Sequence, residues 1–202
     1  MNENKYALAG WLAIGQMITF ITGFILAAVE GAFHRDMLER FEPSIGLSDA
    51  FFLVQTIFAI YVALRFRSLL REYYQFHGVD TLIMAWIWWE VGFTAIGWLI
   101  EVISLQVWGV TPELAGLMWI TYFGVSMVTI GVIDIIMAVI LLRSKDLFDG
   151  TIQVFAWLLI FGGVLELTVV LSFLVLFLFL PAQLIVLAII FFKDKEHRVE
   201  FV

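Results

Sequence analysis

Four carboxylates, Glu90, Glu101, Asp134 and Glu166, stand inside apolar stretches of this 202-residue chain, and no Lys or Arg stands there to pair with them. An ionised acid at the centre of a bilayer costs about 2.5–3.5 kcal/mol on an insertion scale. Each must therefore be protonated, hydrated or bound to a cation, and acids that exchange protons or ions in this way form ion paths. Glu90 leads the set. Glu90, Thr94, Gly97, Glu101 and Ser104 follow one another at steps of four, three, four and three, which puts every polar or small residue on one seam of a helix. A rise of ~1.5 Å per residue sets Glu90 near the midplane and Asp134 roughly 8 Å toward the cytoplasm. Glu166 and Glu101 come progressively outward. Stacked in this order they make a ladder, with Glu90 as the central ion or proton site, Asp134 and Glu166 as relays, and Glu101 and Glu30 at the outer mouth. The competing structural reading has protonated acids hydrogen-bonding across helices and holding the bundle together.

Trp86 lies one helical turn from Glu90 on its face, an arrangement that suits a hydrophobic organic cation held by ring and carboxylate together. Trp88 and Trp89 point elsewhere and read as packing residues.

Other chemistries lack their residues. The chain has no cysteine, which leaves no disulfide, thiol nucleophile or Cys-ligated metal. His34, His77 and His197 fall in loops or tails on both sides of the membrane, so they form neither a shared metal site nor a haem ligand pair, and no cofactor is expected. No Ser or Thr stands with a His or Lys inside the apolar stretches, so an enzyme is not expected. A net charge of −7 without a basic run argues against a nucleic acid partner.

The elements that must position the acids follow from composition. With 63% hydrophobic and 14% charged residues, the chain reads as one all-helical integral membrane domain over 1–202. Tyr6 to Val29 is an apolar run too long for a signal-peptide core and is expected to remain as helix one, carrying Ala13, Gln16, Phe20, Gly23, Ala27 and Glu30 at the same three-and-four rhythm. Gly31 to Ser48 alternates apolar and charged residues at helical spacing and predicts a short interfacial helix. Helix two spans about Leu47 to Leu64 and continues into Arg65, Arg67, Arg71, Tyr73 and Tyr74, a headgroup boundary. Helix three covers roughly Val79 to Val107, and helix four about Leu114 to Leu142, with Thr121, Gly124, Gly131, Asp134 and Ala138 on one stripe.

Thr151 to Phe192 is a 42-residue apolar run, about right for two spans, yet no Gly, Pro or Asn between Leu171 and Val175 marks a turn. Charge decides between one span and two. Six spans put nine basic residues on one side and only Arg35 and Arg40 on the other, whereas five would give six to five. The positive-inside rule thus favours six helices in the cell membrane with both termini cytoplasmic, and Pro181 as a kink in the sixth.

The expected function is a small transporter or channel-like protein moving protons, a metal cation or a cationic solute through an acid-lined interior. The alternative is a non-catalytic membrane subunit or assembly factor, motivated by the small-residue seams of helices one, three and four. Its partners would be the bilayer, other membrane helices or a second copy.

Overall fold

A computed structural model describes residues 5–33, 47–106, 112–168 and 171–193, and those residues are helical apart from short turns, with no strand among them. The helices are α1 (Ala7–Phe33), α2 (Leu47–Tyr74), α3 (Asp80–Gln106), α4 (Pro112–Arg143) and α5 (Gly150–Leu167). The last span is built in three pieces: a single turn α6 (Ser172–Leu174), a π-helical stretch Val175–Phe179, and α7 (Leu180–Lys193). Six helices are long and apolar enough to cross a membrane, the expected number. The predicted interfacial helix and Glu30, Glu101, Arg35 and Arg40 lie, wholly or in their side chains, outside the described residues.

Two local features explain how the 42-residue run divides. Thr168 ends α5 by donating its hydroxyl to the Leu165 carbonyl at 2.6 Å and accepting the Leu171 amide at 3.3 Å. A threonine side chain thus does what a Gly or Asn does in a commoner turn. Downstream, Pro181 has no N–H to donate and its ring crowds the carbonyl four residues back. The π-helical stretch immediately before α7 widens the turn where that crowding falls, so the chain carries Pro181 through a local change of helix type.

Each span packs against the spans before and after it, and the last returns to the first, so the six form a ring in chain order. The tightest approach is between α4 and α5, where Gly131 meets Gly163. A Cβ at 163 would stand 2.7 Å from the Gly131 carbonyl oxygen, and one at 131 would stand 2.7 Å from that of Gly163. Only glycine on both sides lets the two backbones touch.

The core occupies one half of the ring, the half that holds the α2–α3 and α4–α5 turns. Tyr6, Leu70, Ala138, Ala156 and Phe191 are fully buried there, with Phe66, Ile83, Leu141, Ile152 and Leu187 around them. Tyr6 stacks on Phe191 and meets Tyr73 edge-on, which ties α1 to α7 and α2. At the rim, Lys5 pairs with Glu72, while Arg67, Arg71 and His77 converge on Asp80. Asp149 caps α5 by accepting the Ile152 amide at 3.1 Å.

Candidate functional site

Beyond that core the six helices separate around a cavity of about 540 Å³. Its floor is the top of the packed half, where Phe66 meets Phe155 edge-on at 5.3 Å beside Ile83 and Leu187. From there it reaches past Glu90, Asp134 and Glu166 to Phe24, Asp49 and Trp98. Four carboxyl side chains therefore line one space, and no Lys, Arg or His is among its described lining residues.

The α3 seam supplies one wall. Trp86, Glu90, Thr94 and Gly97 all line the cavity, as their spacing on one helical face requires. Thr56 of α2 lies across from them, its hydroxyl 3.4 Å from Glu90 Oε1 and 3.4 Å from the Thr94 hydroxyl. These are long, weak hydrogen bonds, and they leave much of the Glu90 carboxyl facing the cavity.

The next two helices bring Asp134 on α4 and Glu166 on α5, both buried. The Gly131–Gly163 crossing brings them together: Glu166 Cβ and Oε2 lie 3.1 and 3.4 Å from where a Cβ of Gly131 would stand, one turn from Asp134. Glu166 Oε2 is buried without a hydrogen-bond partner among the described residues, and so is Gln16 Oε1 on α1. Gln183 donates to the Leu158 carbonyl at 3.3 Å and also borders the cavity.

Aromatic rings and aliphatic side chains make most of the remaining surface. Phe93 and Tyr122 stack with centroids 4.2 Å apart, and the Tyr122 hydroxyl donates to the Phe93 carbonyl, which joins α3 to α4 beside Gly97. Trp88 faces outward and is 70% exposed, whereas Trp89 donates its indole N–H to Ser126 at 3.2 Å.

Of the residues singled out from sequence, Glu90, Asp134, Glu166 and Trp86 share the cavity. The side chains of Glu101 and Glu30 lie outside the described residues. Thr56, Gln183 and Asp49 were not singled out. Gln183 carried a signal, since it is the only polar side chain between Ser172 and Lys193. Thr56 carried none, being one small hydroxyl beside the more polar Gln55. Among the described residues no three His, Asp or Glu side chains group as a metal site. Comparison with family models, with curated proteins and with solved structures gives no match for this chain.

Proposed function

We propose that this chain is a small integral membrane transporter that moves protons or a cation through its acid-lined interior, with both termini in the cytoplasm. One observation carries the reading: the carboxyls of Glu90, Asp134 and Glu166, from three different helices, line a single cavity, and no basic group is among its described lining residues. A carboxyl in such a place is either protonated or attended by a cation. Glu90 is the central site, held loosely enough by Thr56 to change partners, and Asp134 with Glu166 receives or releases the proton or cation. Glu101 and Glu30 would form the mouth.

The packed half closes the path below the cavity, so passage requires the floor at Phe66 and Phe155 to rearrange. That favours a transporter over a standing channel. The nine-to-two bias of basic residues supports a cytoplasmic position for the packed half. Of the small seam residues that motivated a partner-binding subunit, Gly23 faces Phe51, Gly97 faces Tyr122 and Gly131 faces Gly163 within the chain.

Ion flux into proteoliposomes containing the purified chain tests the proposal. Wild type is expected to conduct protons or a monovalent cation, and Glu90→Gln to lose at least tenfold of that flux while eluting as a folded protein. Equal flux in the two would remove Glu90 from the path.

A further inference from the structure

Resting on the transport reading above, we infer that the cavity's cargo is an amphiphilic organic ammonium, with its N–H donors on a buried acceptor such as Glu166 or Gln16 and an aromatic or alkyl body against the ring-lined wall. Size is the first argument. A space of about 540 Å³ falls among small-molecule pockets, which run ~300–1,000 Å³, and far exceeds the ~30 Å³ that a single water occupies in the liquid.

The lining is the second. A bare metal cation asks for oxygen ligands on most sides, yet between the acids this wall presents Phe20, Phe52, Phe66, Trp86, Phe93 and Phe155. Rings of that kind stabilise an organic cation through dispersion and through their negative faces. The carboxyls disfavour an anion, and a neutral lipid tail would leave them uncompensated.

The third argument fixes the head group. Glu166 and Gln16 are only 6% and 5% exposed, both border the cavity, and each holds a buried oxygen with no donor among the described residues. Buried acceptors without donors are costly. A primary or secondary ammonium brings two or three N–H donors along with its charge, whereas a quaternary ammonium or a phosphonium brings charge alone. Glu166, Asp134 and Glu90 supply the countercharge.

The test is equilibrium binding of dansylcadaverine, a fluorescent aromatic primary amine, to the full chain in nanodiscs, with empty nanodiscs subtracted. Its N-acetyl derivative, equal in body and lacking the cation, is the comparator. The amine is expected to bind at least tenfold more tightly than the amide. Glu166→Gln should reduce that preference tenfold or more, and Gln16→Leu severalfold. Should Glu166→Gln not fold, Glu90→Gln carries the same prediction. Equal affinity for amine and amide would overturn the inference, since the cavity would then be reading apolar bulk alone. Glu90-dependent proton or potassium flux without amine binding would also overturn it while leaving the ion path standing, whereas loss of both binding and flux would remove both.

Discussion

Asp80 and Glu166 are both shielded carboxyls of one chain, and they are treated in opposite ways. Asp80, in the packed half, has a side chain 13% exposed and accepts from Arg67 at 3.1 Å, from Arg71 at 2.5 Å and from His77 at 3.1 Å. Glu166, in the cavity half, is more deeply buried and receives no described ion pair, and one of its oxygens has no described donor. The same contrast runs through the packing. One half seals Tyr6, Leu70 and Phe191 completely, while the other holds its helices apart around open space. Cations are thus supplied where a carboxylate serves as a fixed strut. No cation is among the described residues around the cavity, where a carboxyl is either protonated or attended by a positive charge from outside.

The largest expected effect tests the packing side of this contrast. Phe191→Ala removes a fully buried ring stacked on Tyr6 and should cost about 3–5 kcal/mol, the usual range for a ring deleted from a close-packed site. Phe52→Ala, which widens a cavity that already exists, should cost roughly half as much or less. Thermal unfolding of both variants in one detergent makes the comparison, and equal losses would mean that the two halves are packed alike. Next comes a backbone-to-backbone crossing in the cavity half. Gly163→Ala puts a Cβ 2.7 Å from the Gly131 carbonyl and 2.8 Å from Ile135 Cγ1, so α4 and α5 must part. Overpacking of that kind costs about 1–3 kcal/mol. Because Glu166 rides on the same crossing, flux should fall more than stability does.

Asp80→Asn tests the electrostatic side. The amide keeps the shape of the acid but takes away the charge that Arg67 and Arg71 share, and the site is partly exposed, so a fall in Tm of about 2–4 °C is expected. Arg67→Met together with Asp80→Asn should recover part of it, as removing both partners leaves no stranded charge.

Much of this arrangement could be read from spacing, and the exceptions have physical causes. Trp86, Glu90, Thr94 and Gly97 line the cavity because a helix repeats every three to four residues, which any sequence displays. The ends of α2 and α3 fall near their predicted positions because Arg65, Arg67, Arg71 and Asp80 cannot enter the apolar layer unpaired. The turn after α5 was illegible, since Thr168 makes it through its side chain and threonine is common inside helices too. The neighbourhood of Asp134 and Glu166 was hidden for another reason. Counting rise along separate helices set them on different rungs, and only the Gly131–Gly163 contact between two distant segments brings Glu166 within one turn of Asp134. Likewise, nothing local reports that Thr56 faces Glu90, since that depends on how α2 is rotated against α3.

The smallest expected effect is the most discriminating. Glu166→Gln preserves volume and one carbonyl oxygen, and it breaks no described side-chain ion pair or hydrogen bond. If the acid served to hold α4 against α5, the change would cost about 1–3 kcal/mol, as the loss of a buried hydrogen-bonding group does. If it stands ready for a cation, folding gains nothing from it, and the substitution should leave Tm within about 1–2 °C of wild type or raise it, while amine binding and flux collapse. Set beside Asp80→Asn, the pair forms a direct inversion: neutralising the strut lowers stability and spares binding, and neutralising the cavity acid spares stability and abolishes binding. Parallel losses of stability in the two variants would make Glu166 a second strut and end the distinction between the halves.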